Sequence, residues 1–179
     1  SGRDGITSAT CAFHRKSSGC SLNASGSATN FGGYNYGAGN NVATVFQEYT
    51  TSVDIYLNVG GGWGNDTRFD YSSAINNASG GFLRDFVFNA GFYNDATGPG
   101  ANTDRFVISA GNNAGRPNSF PKNTGAIAIS STGWYTFEHH FYDNAGVLNV
   151  DLRIFDASNS LVNQWTLGTD LIAGVGGNR

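Results

Sequence analysis

The residues best suited to chemistry lie in two neighbouring segments of the carboxyl-terminal half, 134–142 and 147–155. Both segments alternate apolar and polar residues, which is the pattern of a β-strand with one buried and one exposed face. The sequence Asp-Asn-Ala-Gly at 143–146 is a good turn, so the two segments are predicted to form a hairpin. The polar side chains would share its exposed face: Thr136, Glu138, His140, Asn149, Asp151 and Arg153.

The pairing of acidic residues across this hairpin decides which chemistry is available. A four-residue turn at 143–146 would place Glu138 directly opposite Asp151. Two carboxylates that face each other across a β-ladder repel unless something compensates their charge. Arg153 or a protonated His140 would do so structurally, a divalent cation would do so as a ligand, and a raised pKa would create an acid/base pair. A polysaccharide lyase or glycosidase would use Glu138, His140 and Asp151 as catalytic residues, whereas a solvated polar face without a ligand is the simplest alternative.

Tryptophans extend this candidate site. Trp63 follows three glycines and is expected to be exposed on a loop, where an indole either stacks on a sugar ring or caps the end of the domain. Trp134 begins its strand in the register of the polar face and is placed to border a groove. Trp165 and His139 have the register of the apolar face and are predicted to be buried. The candidate ligand-binding residues are therefore Trp63, Glu138, His140, Asn149, Asp151 and Arg153.

A long polar loop at 94–103 contains side chains that could bind a metal ion. Carboxylate and carbonyl oxygens of Asp95 and Asp104 suit Ca²⁺, although the EF-hand spacing is missing and an ordinary Asn/Asp turn is the alternative. The sequence has no P-loop, dinucleotide fingerprint, nucleophile elbow or zinc-protease motif. No other cofactor is therefore predicted.

The amino-terminal residues 1–44 differ from the rest because they are rich in Gly, Asn and Ser and contain both cysteines. The spacing of Cys11 and Cys20 does not match a redox or zinc motif, which favours a disulfide that closes a short loop. A disulfide would indicate an oxidising compartment. We expect an arm over 1–44 that packs on the domain formed by 45–179 or extends from it, where it would be available for self-association.

The wider pattern predicts an all-β fold. Residues 52–59 alternate cleanly, and no segment has a capped helical stripe. Short strands separated by turns indicate an antiparallel two-sheet sandwich of the jelly-roll kind. Besides the hairpin, the predicted strands are 42–49, 52–59, 67–72, 82–91, 105–110 and 161–167.

Composition narrows the functional classes. Charged residues are only 13% of the chain and the net charge is −3, with no basic patch, which argues against nucleic-acid binding. No apolar run approaches the ~20 residues of a membrane helix. A surface built from Asn, Ser, Thr and Gly is common in secreted β proteins, so a secreted, extracellular or cell-surface location is expected.

Two sequence stretches resemble known families. Gly133-Trp-Tyr-Thr-Phe-Glu-His-His-Phe-Tyr-Asp-Asn and the strand after it resemble the hairpin of concanavalin A-like and laminin-G-like sandwiches, and the region 45–168 looks like uncharacterised secreted or surface proteins of bacteria. Phe88-Asn-Ala-Gly-Phe-Tyr-Asn is similar to the KAGxYNQ strand of jelly-roll alginate lyases. In this strand Asn89 replaces the lysine and Asp95 replaces the glutamine, and the partner motifs of that family are absent.

These resemblances imply a concanavalin A-like sandwich whose relatives often bind glycans. The leading expectation is a secreted, non-catalytic module for carbohydrate binding or adhesion, with a glycan or polysaccharide as partner. A structural subunit of a cell-surface layer or extracellular filament is the alternative, motivated by the arm at 1–44. A polysaccharide lyase or glycosidase on the same fold is the second alternative.

Overall fold

The computed structural model describes residues 45–112 and 121–178. The predicted disulfide between Cys11 and Cys20 and the predicted arm at 1–44 lie outside the described residues. Nine β-strands and one short 3₁₀ turn, Ile172–Gly174, make up the secondary structure of the described part. The strands are β1 (Tyr49–Leu57), β2 (Thr67–Asn77), β3 (Phe82–Tyr93), β4 (Arg105–Asn112), β5 (Ile127–Ile129), β6 (Gly133–Asn144), β7 (Val147–Asp156), β8 (Leu161–Leu171) and β9 (Val175–Asn178).

The strands form two antiparallel sheets, which confirms the predicted two-sheet β-sandwich. The four-stranded sheet has the order β1-β6-β7-β8, and the five-stranded sheet has the order β5-β4-β3-β2-β9. A bidentate ion pair from Arg84 on β3 to Asp170 on β8 links the two sheets, with distances of 2.6 and 2.8 Å. In the part of the chain that the structure describes, no helix has the length and apolar character required to cross a bilayer.

The core between the sheets consists mainly of phenylalanine and branched aliphatic side chains. Phe86 and Phe88 of β3 meet Phe141 and Phe137 of β6 edge-on, with ring centroids 5.5 and 5.1 Å apart. All four side chains are fully buried. Burial of each such ring stabilises the fold by roughly 1.5–3 kcal/mol. Trp165 is buried as predicted, and its indole N–H donates to the carbonyl of Gly125 at 2.8 Å.

The hairpin of β6 and β7 has a different register from the predicted one. Asn144 pairs with Val147, so the turn contains two residues rather than four. Ala145 and Gly146 both have positive φ values, 53° and 90°, as in a type I′ turn. This turn is favoured because its twist matches the right-handed twist of the flanking strands. The partner positions therefore move by two residues, which keeps every side chain on its predicted face because side chains alternate with period two.

Two other parts of the fold were missed. The short strands β5 and β9 were not predicted, and β2 continues to Asn77, beyond the predicted end at residue 72. Both short strands pair at the margins of the five-stranded sheet, β5 with β4 and β9 with β2. Their hydrogen bonds come from neighbours that are distant in sequence, so three or four residues carry too little local pattern to reveal them.

Candidate functional site

The predicted polar face is the outward face of the four-stranded sheet. Apolar residues of β6 and β7 point into the core, and the alternating residues point away from it. The neighbouring strands β1 and β8 widen this face because β1 pairs with β6 and β8 pairs with β7. We call it the outward face, and its side chains are Ser52, Asp54, Tyr56, Trp134, Thr136, Glu138, His140, Tyr142, Asn149, Asp151, Arg153, Phe155, Gln164 and Thr166.

The middle of the outward face is a row of four polar residues, one from each strand. Ser52 pairs with Glu138, Glu138 with Arg153, and Arg153 with Gln164. Arg153 Nε lies 2.9 Å from Glu138 Oε1, and both side chains remain about a quarter exposed. The contact is an ion pair by distance but lacks hydrogen-bond geometry, and Arg153 Nε has no hydrogen-bond partner among the described residues. The Nε atom itself is buried, but the partly exposed side chains of Arg153 and Glu138 leave this row accessible to water or a ligand.

The polar groups of the next row have more hydrogen-bond partners. His140 pairs with Asp151, and Asp151 pairs with Thr166. Thr166 Oγ1 donates to Asp151 Oδ1 at 2.6 Å, and Tyr142 Oη approaches the same oxygen at 3.4 Å. Asp151 is only 8% exposed, so its carboxylate acts mainly as an anchor for its neighbours. His140 Nε2 lies 2.8 Å from Oε1 of Glu48, a residue at the rim of the outward face.

These contacts correct the predicted carboxylate pair. Glu138 and Asp151 lie in adjacent rows instead of directly opposite each other, because the two-residue turn shifts the register. Arg153 faces Glu138, and Thr166 holds Asp151. The predicted acid/base set of Glu138, His140 and Asp151 does share one face, but its two carboxylates do not face each other across the ladder. Asn149 pairs with Tyr142 and Gly168 in the row beyond Asp151.

Aromatic side chains lie near both ends of β6 on the outward face. Tyr56 and Trp134 are neighbours with ring centroids 5.3 Å apart, and Trp134 is 38% exposed. Near the other end, the rings of His140 and Tyr142 stack at 5.0 Å. The outward face thus combines aromatic rings at two positions with a polar row between them.

Trp63 does not belong to the outward face. Its indole N–H donates to the carbonyl of Asn58 at 2.7 Å, and the ring packs against the core and is half-buried. A Cβ atom on Gly61 would come within 2.5–2.6 Å of this ring, so the glycine permits the close approach. The observed position agrees with the capping alternative and differs from the expected exposed indole.

In the acidic loop after β3, cationic side chains contact the carboxylate of Asp95, one of the two predicted calcium ligands. Both carboxylate oxygens of Asp95 bind Lys122 Nζ, at 2.7 and 2.6 Å, and Arg105 Nη2 lies 3.2 Å from Oδ1. The Lys122 ammonium is the main reason why the pKa of Asp95 is far below its usual range. Asp104, the other predicted ligand, is exposed. No group of three or more potential metal-ligating side chains occurs among the described residues. Asp95 is therefore a structural counter-ion.

Arg105 organises this loop, and sequence reasoning missed it. Its side chain is fully buried, and its five N–H groups donate to four carbonyl oxygens and one carboxylate. Four of these acceptors lie within residues 95–99 and one is the carbonyl of Thr103. A guanidinium has five donors, so none remains unused. The arginine begins a strand whose residues are otherwise apolar or small, which is the signal that could have identified it.

A second cleft lies beside this loop, with a volume of about 470 Å³. Tyr93 Oη donates to Asp66 Oδ1 at 2.5 Å, and Lys122 Nζ lies 4.0 Å from the centre of the Tyr93 ring. Burial, with support from the Asp66 hydrogen bond, raises the pKa of Tyr93 to about 12. This tyrosine belongs to the segment that is similar to the alginate lyase strand. A pKa so far above neutral makes the hydroxyl a poor general base, since the optimum lies near the working pH.

His139, next to His140 in the sequence, is buried in the core as predicted. It is 0% exposed and lies between the rings of Tyr71 and Phe88, at 4.8 and 4.9 Å. Neither ring nitrogen has a hydrogen-bond partner among the described residues. Burial lowers the pKa of His139 to about 3, and the backbone of Phe86 opposes this shift only in part, without hydrogen-bond geometry. The histidine is a neutral core side chain at physiological pH.

The structure thus brings five of the six predicted ligand-binding residues onto one face and leaves Trp63 apart from them. It adds residues that the sequence could not connect to the site, because they lie on β1 and β8: Asp54, Tyr56, Gln164 and Thr166. Their outward orientation follows from alternation, but the strand order does not. Comparison with protein-family models, curated proteins and solved structures finds no significant match.

Proposed function

We propose that this protein binds carbohydrate through the outward face of the four-stranded sheet, as a secreted, non-catalytic module. The observation that carries the proposal is the combination of the exposed Trp134 and the half-buried rings of Tyr56, His140 and Tyr142 with the polar row Glu138–Arg153–Gln164 between them. A sugar ring presents an apolar C–H face that packs on an aromatic ring, and its hydroxyl groups need donors and acceptors. The outward face supplies both.

The hydrogen-bonding state of the polar row supports binding. Arg153 and Glu138 remain about a quarter exposed, and Gln164 makes only a long hydrogen bond, 3.3 Å, to Thr166. Hydroxyl groups of a ligand can therefore reach these side chains. Asp151 is less available for a catalytic role, since it is only 8% exposed and Thr166 donates to its carboxylate.

A glycan array with the full chain tests the proposal, with Trp134→Ala as the diagnostic variant. We expect binding to a defined group of oligosaccharides and a loss of about fivefold in affinity in the variant, because a stacked ring contributes roughly 1 kcal/mol. Phe82→Ala is the matched control, since Phe82 is an exposed aromatic residue, 47% accessible, on the five-stranded sheet. Equal losses in both variants, or an array without binding, would reject the proposal.

Self-assembly is a second candidate function because of the edge strand β8. Within the described residues β8 pairs only with β7, it contains neither lysine nor proline, and Leu161 and Val162 are 53% and 40% exposed. Such an edge is a template for pairing with another strand. This supports the alternative of a structural subunit in a surface layer or filament.

Sedimentation of the full chain over a range of concentrations tests this candidate. Assembly through β8 predicts concentration-dependent association that Val162→Lys removes, since a charged residue protects an edge. A monomer at every concentration, in the original protein and the variant alike, rejects it.

A further inference from the structure

We infer that the ligand of the outward face is a long polysaccharide without acidic groups, lying along β6 from Trp134 to Tyr142. This inference rests on the proposed function and adds the length and the charge of the ligand. It follows from two independent properties of the face, the separation of its aromatic positions and the sign of its charge.

The length follows from the spacing of the aromatic residues along one strand. Trp134 and Tyr142 are eight residues apart on β6 and point to the same side. At a rise of ~3.4 Å per residue they lie about 27 Å apart. Between them the outward positions of β6 are Thr136, Glu138 and His140, all of which carry hydrogen-bonding groups. A disaccharide reaches one aromatic position only, whereas an extended chain of several rings reaches both.

The charge follows from the composition of the four strands. Arg153 is the only lysine or arginine in β1, β6, β7 and β8, and it is already paired with Glu138. The carboxylates on the face and its rim outnumber it: Glu48, Asp54, Glu138 and Asp151.

An acidic polysaccharide would bring further negative charge onto this surface and would be repelled. The hydroxyl groups of a neutral chain, or the amino groups of an amino-substituted one, instead donate to carboxylate oxygens in charge-assisted hydrogen bonds. The charge of the face therefore selects against uronates and sulfated chains. The same charge argues against a polyuronate, the kind of acidic substrate that the alginate lyase resemblance would imply.

Isothermal titration of the full chain with matched oligosaccharides tests both properties. The probes are the disaccharides and hexasaccharides of cellulose, xylan, mannan and chitin, deacetylated chitin hexasaccharide, and oligogalacturonate, all at low ionic strength. In at least one non-acidic series we expect the hexasaccharide to bind at least about tenfold more tightly than the disaccharide, because the second aromatic position is engaged intramolecularly. Oligogalacturonate should not bind.

Variants at Trp134 and Tyr142, the two aromatic positions, test whether the tighter binding of longer oligosaccharides depends on both. Trp134→Ala and Tyr142→Ala should each remove most of the gain from disaccharide to hexasaccharide. Tyr142→Phe is the control, since it retains the ring and loses only the 3.4 Å contact with Asp151. Equal affinities for short and long oligosaccharides would overturn the predicted length.

A charge variant tests the selection against acidic chains. In Glu48→Gln/Asp54→Asn the aromatic rings are untouched and two carboxylates are removed, so we expect detectable binding of oligogalacturonate. The control is Asp104→Asn, since Asp104 is exposed and lies outside the outward face. This variant should leave oligogalacturonate binding undetectable. Binding of oligogalacturonate by the original protein as tight as that of any neutral hexasaccharide, or no gain in the double variant, would overturn the inferred charge selection and leave carbohydrate binding itself intact. The absence of binding to every probe would reject both this inference and the proposed carbohydrate binding.

Discussion

Arg105 and Arg153 show how differently the two sheets of this protein use a guanidinium group. Arg105, at the start of β4 in the five-stranded sheet, is fully buried and uses all five donors within the loop at 95–103. Arg153, in the middle of the outward face, is partly exposed and has one ion pair without hydrogen-bond geometry. A satisfied, buried cation fixes structure, whereas a partly exposed cation with a single ion pair is available to a ligand.

The largest expected effect tests this difference directly, by replacing each arginine with methionine. Arg105→Met should reduce the free energy of unfolding by about 3–5 kcal/mol, because it removes the donors of the Thr97, Pro99 and Thr103 carbonyls and one counter-ion of Asp95. Arg153→Met should change it by no more than about 1 kcal/mol, since exposed ion pairs contribute little. Urea denaturation measures both. Similar losses in the two variants would contradict the assigned roles.

A second test applies the same comparison to two adjacent histidines on opposite faces of β6. The pKa of His139 is lowered from 6.5 to about 3 in the folded protein. The unfolded chain therefore binds the proton more readily, so the stability associated with neutral His139 is complete above pH 6.5 and is lost as the pH falls towards 3.

Replacing His139 by leucine should remove that dependence. The difference in unfolding free energy between His139→Leu and the original protein should grow by about 2–3 kcal/mol between pH 7 and pH 4.5. His140→Gln, on the outward face, should keep the original slope over this interval. Parallel curves for the original protein and His139→Leu in urea titrations at several pH values would show that this histidine does not titrate on unfolding.

The smallest expected effect concerns the turn that decides which residues face Arg153. Ala145 has a φ of 53°, a conformation in which asparagine is more stable than alanine. Ala145→Asn should raise the unfolding free energy by about 0.5–1 kcal/mol and leave ligand binding unchanged. Ala157→Asn, in another exposed turn but without a positive φ, is the control and should give no gain. Thermal unfolding compares the two variants, and a loss of stability in Ala145→Asn would argue against the type I′ turn.

The alternation of residues in β6, β7 and β8 allowed the face of most site residues to be predicted. His139 and Trp165 were assigned to the core, and Glu138, His140, Asp151 and Arg153 to the outside, as the structure shows. The prediction of a carboxylate pair was wrong because the register depends on the conformation of two turn residues. The contact of Lys122 with the Asp95 carboxylate was not predicted, because Lys122 is distant in sequence.

The sequence by itself determined the all-β class and the face on which each strand residue lies, because alternation is a local property of the extended chain. Only the tertiary structure decided that β1 lies beside β6 and β8 beside β7, that Glu138 meets Arg153, and that Tyr56 lies next to Trp134. Strand order arises from packing between segments up to about 80 residues apart, as in the Thr136–Asp54 contact. Residues so distant in the chain leave no periodic signal of their proximity, so the two aromatic positions and the polar row became one surface only on folding.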